Sequence, residues 1–199
     1  MAAGAMRQQL RYLLADAERI VAGKRSRWLV LPFTQSFLAM AWYRLERGCW
    51  LTWGRRWEVA RLGLVPLRTL LRPWIGLEIN HKADIGPGFL VLHPSLGLVI
   101  SEFATIGRRV TVVGGNCIGS QASGREAGAV EIGDLVQIYA NASIIGPVRV
   151  GERSYVAAGA VVVSDVEPRS RVGGVPARPL ERGSGAYATG ADGAVAPTT

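Results

Sequence analysis

The chain has 199 residues, enough to bury one substantial core with a small appendage, and carries a formal charge of +8. The basic excess belongs entirely to residues 1–77, with 13 Lys+Arg against 4 Asp+Glu, while residues 78–199 carry 10 against 11. The two cysteines, Cys49 and Cys117, lack metal-ligand spacing, and residues 1–22 mix charges through their apolar positions, which excludes a signal peptide; two free thiols in the cytoplasm are expected.

Residues 7–22 predict an amphipathic helix, with Leu10, Leu13, Leu14, Ala17, Ile20 and Val21 at helical spacing. The basic cluster Lys24-Arg25-Ser26-Arg27 follows, then an uncharged run from Trp28 to Tyr43. That run is short of the roughly 20 apolar residues that span a bilayer and is read as a buried or interfacial helix. From Arg44 to Trp74 arginines alternate with large apolar groups, and all six tryptophans lie between residues 28 and 74. Two readings stand for this N-terminal segment. One is a helical cap on the rest of the chain with its arginines solvated; the other adds peripheral contact with a membrane surface through residues 7–74. Nucleic-acid binding is set aside, because no recognised module accompanies the basic, aromatic composition.

Beyond this segment an aliphatic residue returns every six positions: Ile79, Ile85, Ile100, Ile106, Val112, Ile118, Ile132, Ile138, Ile144, Val150, Val156 and Val162. Neither a helical nor a strand period explains this. A hexapeptide period marks a parallel β-helix, in which three six-residue sides complete a coil of about eighteen residues and the aliphatic residues stack along the axis. Gly follows Ile85, Ile106, Ile132 and Val150, and also Ile118, where a small residue eases the bend and tolerates unusual backbone angles. The phase breaks twice, by three residues in Val91–Val99 and by eight in Gly119–Glu131. Such insertions leave a stacked prism as loops, and loops gather on the binding face.

The repeat ends in a turn at Gly173–Leu180, and Gly183–Thr199 is too poor in apolar residues to order itself. The expected organisation is a basic, Trp-rich helical segment 1–77, a β-helix 78–180 and a disordered tail 181–199.

Chemistry centres on the two histidines. His81 lies in the polar start of a coil and is read as structural; His93 sits in the first phase break. Histidine is the usual proton acceptor near neutral pH but must be oriented by a partner. Glu78 precedes His93 by fifteen residues, which with the three-residue insertion sets the two on neighbouring coils near one edge. A carboxylate there fixes the imidazole tautomer and stabilises its cation. The alternative is a loop histidine bonded to a backbone carbonyl.

The ordered set Glu78-Ile79, Ile85-Gly86-Pro87-Gly88, His93 with Gly97-Leu98-Val99-Ile100, Gly159–Val163 and Gly174–Arg178 resembles the left-handed β-helix acyltransferases. Within them it is most similar to the serine acetyltransferase group, including the sugar and exopolysaccharide O-acetyltransferases. The resemblance spans Leu77 to Leu180. It implies a mainly β, left-handed parallel β-helix with an N-terminal α-helical cap, assembled as a homotrimer with active sites between prisms. It implies acetyl-CoA as co-substrate, His93 as base and Glu78 as its partner, and requires no metal. Ala140, Asn141, Ala158 and Gly159 would line the pantetheine groove, with Arg178 near the nucleotide phosphates.

Departures bear on the acceptor. The acidic residue before the base is Leu92 here, and the family's second histidine falls at or near Ala129. Groups for an amino-acid zwitterion are thus mostly missing, although Arg125 and Glu126 remain in the second loop. The expectation is acetyl transfer to a sugar hydroxyl of a surface polysaccharide or its precursor. The alternatives are serine O-acetylation and a non-catalytic scaffold that binds a partner or membrane, since fold alone does not settle function.

Overall fold

A computed structural model of the chain describes residues 2–23, 26–67, 69–70, 76–120 and 128–180. The expected disordered tail, Arg125 and Glu126 therefore lie outside the described residues.

From Leu77 the chain lays down short strands: β1 (Leu77–Ile79), β2 (Asp84–Ile85), β3 (Leu90–Val91), β4 (Leu98–Ile100), β5 (Ala104–Ile106), β6 (Thr111–Val112), β7 (Asn116–Ser120) and β8 (Val130–Ile132). They continue as β9 (Gln137–Ile138), β10 (Ser143–Gly146), β11 (Val148–Val150), β12 (Tyr155–Val156), β13 (Val161–Val162), β14 (Arg171–Gly173) and β15 (Arg178–Pro179). Three sheets result, ordered β1-β4-β7-β10-β13, β11-β8-β5-β2 and β15-β14-β12-β9-β6-β3. Only β15 runs antiparallel to its neighbour. Each sheet is one wall of a prism, so the chain moves from the first wall to the second to the third in every coil.

Register explains the hexapeptide period. Ile79, Ile100, Ile118, Ile144 and Val162 form one column inside the first wall. Ile85, Ile106, Ile132 and Val150 form the second, and Val91, Val112, Ile138, Val156 and Val172 the third. All but Ile79 are buried, and burying each such side chain contributes about 1.5–3 kcal/mol. Val91 belongs to the inward series, although the sequence pattern assigned it to the first loop; the excursion is Leu92–Gly97, between β3 and β4.

The glycines after Ile85, Ile106, Ile132 and Val150 all occupy the exit of the second wall. A Cβ on Gly86 would lie 2.7 Å from the Gly107 carbonyl oxygen, and one on Gly151 would lie 2.3 Å from the Pro168 nitrogen. Gly107 and Gly133 meet the coil above them equally closely, and none of the four has a positive φ. The requirement is therefore close backbone approach, not the unusual backbone angles expected from the sequence.

The N-terminal residues form α1 (Ala2–Val21), α2 (Arg27–Val30), a 3-10 turn at Leu31–Phe33, α3 (Gln35–Trp53), α4 (Arg55–Ala60) and a 3-10 turn at Arg61–Leu64. Two expectations change. Helix α1 begins before residue 7, and the uncharged run is no single helix: Pro32 lies in the 3-10 turn and Thr34 is extended, so α3 starts afresh at Gln35.

Helices α1 and α3 cover the first coil, whose carbonyls have no coil beneath them. Tyr43 donates its hydroxyl to the Ala83 carbonyl at 2.8 Å, Ser36 to Val91 at 2.8 Å, and Arg47 to Lys82 at 2.9 Å. Arg19 donates to the Gly88 carbonyl at 2.6 Å and to Thr111 Oγ1 at 2.8 Å. Arg44, fully buried, donates to the Ile85 and Gly86 carbonyls at 2.5 and 2.7 Å and pairs through Nε with Asp16 Oδ2 at 2.9 Å. Asp16 Oδ1 in turn accepts the Phe89 N–H at 2.8 Å. Burial pushes the Asp16 carboxyl up, and Arg44 and the backbone N–H groups oppose that rise. These arginines are structural ties between cap and prism, which corrects the reading of a cap with solvated arginines.

His81 is also buried, at the first corner of the first coil. Arg61 Nη1 donates to its Nδ1 at 2.8 Å, which places the ring proton on Nε2, 3.5 Å from Glu58 Oε1. Trp50 meets the ring edge-on at a centroid distance of 5.5 Å.

Arg44→Met strands the Asp16 carboxylate and two carbonyls in an apolar setting and is expected to cost about 3–5 kcal/mol of unfolding free energy. Urea denaturation measures this, and Asp16→Leu added to Arg44→Met should cost less than the sum of the two single changes. A second expectation concerns pH. Burial first, then Arg61, push the His81 imidazole below its ordinary value of 6.5. The unfolded chain then takes up a proton before the folded chain does, so stability is complete above pH 6.5 and declines as pH falls below it. Melting temperature followed from pH 7.5 down to 5.5 should fall in the wild type and fall less in His81→Gln.

Candidate active site

Left-handed residues recur at two corners, Arg109, Leu135 and Arg153 where the second wall turns into the third and Gly115, Asn141 and Gly159 where the third turns into the first, and the Leu92–Gly97 excursion belongs to the latter. His93 opens this corner in the first coil, Gly114-Gly115 in the second, Ala140-Asn141 in the third and Ala158-Gly159 in the fourth. Main-chain bonds hold the stack: His93 N donates to the Val113 carbonyl at 2.9 Å, Asn141 N to Gly114 at 3.0 Å and Gly159 N to Ala140 at 2.9 Å. Gly115, Asn141 and Gly159 share left-handed backbone angles, φ +71°, +60° and +68°, which Gly and Asn adopt most readily. Gly114 has a further reason, since a Cβ there would lie 2.3 Å from the His93 carbonyl oxygen.

Asn116 fastens this corner. Almost fully buried, it accepts the Gly114 N–H at 2.9 Å and donates Nδ2 to the Tyr139 carbonyl at 2.6 Å. The sequence reading passed over it; its one signal was a polar residue two positions before the inward Ile118, where the other coils carry Leu77, Leu98, Ala142 and Ala160.

His93 precedes the one-turn 3-10 helix Pro94–Leu96, and its carbonyl accepts the Leu96 N–H at 3.1 Å. Its imidazole is exposed. Glu78 lies on the outer side of β1, level with Val99 and, one coil further, Cys117. The start of β1 rests against the His93 loop, because a Cβ on Gly76 would lie 3.6 Å from the Pro94 carbonyl oxygen. Glu78 thus begins the first coil and His93 ends it, instead of lying on neighbouring coils as the spacing suggested, and among the described residues of the protomer no hydrogen bond joins their side chains. Grooves flank the loop that carries His93. One of about 870 Å³ is lined by Leu92, Val113 and Tyr139 and reaches Arg19 and Arg109. The other, of about 520 Å³, is lined by Glu78, Gly97 and Val99 and closed by Trp42 and Glu46 of α3.

Four of the residues assigned to the pantetheine groove, Ala140, Asn141, Ala158 and Gly159, stand above His93 as a shelf of small groups. A Cβ on Gly159 would meet nothing within 4 Å. The Ala140 and Ala158 N–H groups have no acceptor among the described residues. Arg178 is exposed in β15, paired with Gly173, at the far end of the prism. Leu92 is exposed beside His93, and Ala129 is exposed just before β8. Arg171 lies over the Tyr155 ring at 4.9 Å, and Tyr155 stacks on Tyr139 at 4.5 Å, an aromatic column on the third wall that the sequence reading did not use.

Comparison with known proteins places this geometry. The family model described as "Bacterial transferase hexapeptide (six repeats)" matches residues 129–164. A serine acetyltransferase of Helicobacter pylori strain J99 is 31% identical over 158 residues, covering 79% of this chain and 88% of that protein. The crystal structure of Neisseria gonorrhoeae serine acetyltransferase in complex with serine matches with a TM-score of 0.73 and 30% identity, covering 87% of this chain and 69% of that one. Serine acetyltransferase from Brucella abortus strain S19 in complex with coenzyme A matches with a TM-score of 0.74 and 26% identity, covering 90% and 70%. Other relatives are longer: the chain spans 39% of one from Arabidopsis thaliana and 58% of one from Mycobacterium tuberculosis. The three-walled prism is a left-handed parallel β-helix, and the chain belongs to the serine acetyltransferase family of hexapeptide-repeat acyltransferases.

Proposed function

We propose that the protein transfers the acetyl group of acetyl-CoA to a hydroxyl, and that the acceptor is serine. The observation that carries this is relatedness along most of the chain to proteins named serine acetyltransferases, one of them solved with serine. Serine therefore replaces a sugar hydroxyl as the first reading of the acceptor. A shelf without projecting side chains fits a thin, amide-bearing arm such as pantetheine, with Ala140, Asn141, Ala158 and Gly159 along it and Arg178 toward the phosphates. Acetyl-CoA bound there supplies the thioester carbonyl as electrophile.

The residues of the chain then have separate tasks. The exposed His93 imidazole accepts the acceptor's hydroxyl proton as that oxygen attacks, and returns a proton to the departing sulfur. Glu78, at the start of the coil that His93 ends, orients the ring and stabilises its cation. Backbone N–H groups along the corner offset the negative charge that develops on the carbonyl oxygen. The active unit is a homotrimer, in which neighbouring prisms complete the open grooves beside the His93 loop.

A sugar hydroxyl is the second reading, favoured by apolar Leu92 beside His93 and by Ala129 where the resemblance implies a histidine. Thiol release from acetyl-CoA separates the two. Turnover with L-serine at an ordinary enzyme rate, about 1–1000 per second, supports the first. Transfer to a sugar acceptor with none to serine replaces it with the second. His93→Ala should lower kcat/KM by roughly 100- to 10,000-fold, with a smaller loss for Glu78→Gln, and unchanged transfer in His93→Ala removes the proposed base.

A further inference from the structure

Between Trp53 and Leu70 the chain crosses the outside of the cap with its polarity reversed. The side that meets the prism is largely polar: Glu58 pairs with Lys82 at 3.0 Å, Arg61 donates to His81 at 2.8 Å, and the buried Trp57 lies between them in sequence. The apolar residues face solvent, with Val59 71%, Leu62 67% and Leu70 72% exposed. A surface helix ordinarily does the opposite, and exposed apolar groups gathered in one segment mark a docking face.

Charge identifies what docks. Arg55 and Arg56 are exposed within the same segment and make no ion pair among the described residues. Of the four acids of the cap, Asp16 is held by Arg44, Glu46 by Arg61 and the one-third exposed Glu58 by Lys82, which leaves Glu18 on α1 as the exposed acid with no ion pair among the described residues. The turn between α1 and α3 repeats the chemistry, with Leu29 and Phe33 82% and 84% exposed near Arg27. The occupant therefore offers an apolar layer beneath a negative one. A second copy in a closed symmetric contact brings an equally basic patch against this one. Nucleic acid supplies negative charge without an apolar layer.

We propose that this face binds an anionic lipid surface, with Val59, Leu62 and Leu70 entering the acyl boundary and Arg55 and Arg56 at the level of the phosphates. No helix among the described residues is long and apolar enough to cross a membrane, so the contact is peripheral. It is independent of the acceptor and of acetyl transfer.

Vesicle sedimentation of the full chain tests it. Wild type should pellet with phosphatidylglycerol-containing vesicles, not with phosphatidylcholine alone, and binding should weaken as salt rises. Val59→Asp/Leu62→Asp and Arg55→Glu/Arg56→Glu should each lower partitioning by at least about tenfold, with melting temperature and vesicle-free acetyl transfer unchanged. Wild type that stays in the supernatant at low salt overturns the proposal whatever the variants do. So does a Val59→Asp/Leu62→Asp variant that dissociates the oligomer while still pelleting with vesicles, since a second copy then covers the face.

Discussion

A stack of coils satisfies its own main chain everywhere except at its ends. The carbonyl of each inward residue accepts an N–H from the coil before it, as Ile106 does from Gly86 and Val112 from Leu92, so the first coil presents a row of acceptors with nothing below. Tyr43, Ser36, Arg47, Arg19 and Arg44 fill that row with side-chain donors. The rest of the molecule depends on this closure, because β1, β2 and β3 set the register that every later coil copies. It also employs three of the thirteen N-terminal basic residues, Arg19, Arg44 and Arg47, and Arg44, with several donors in a rigid fork, reaches two carbonyls and a carboxylate at once.

The same stacking logic locates the site. A column of identical aliphatics leaves no freedom inside the prism, and the second-wall glycines leave none at the second-to-third corner, where coils pack backbone on backbone. The third-to-first corner departs from the repeat through the Leu92–Gly97 excursion, and left-handed Gly115, Asn141 and Gly159 continue it in the later coils. Asn116 holds that departure in place from beneath. The outward side chains above His93 are small, so the corner is a shelf bounded by two grooves, one of which carries Glu78.

The cap then has two unlike faces. Toward the prism it is polar and paired, with Asp16–Arg44 at its centre and the Glu58–Lys82–His81–Arg61 cluster at its edge. Away from the prism, leucines, valines and tryptophans stand beside Arg55 and Arg56, which make no ion pair among the described residues.

Much of the prism was legible in the residue order, because a period of six with two phase breaks is a local property that only stacked coils satisfy. The inward identity of Ile85, Ile106 and Ile138 and the excursion at the first break follow from counting, whereas Asn141 and Gly159 entered through the family resemblance. What counting could not supply depended on neighbours distant in sequence. Val91 joins the inward column because Val112 lies above it. Arg44 is buried because Asp16 and the Ile85 carbonyl surround it, and Val59 and Leu62 are exposed because Glu58 and Arg61 are drawn inward by His81 and Lys82. Repeats announce themselves in sequence because each unit meets an equivalent copy of itself; caps and sites do not, since their partners are unlike residues that only tertiary packing brings together.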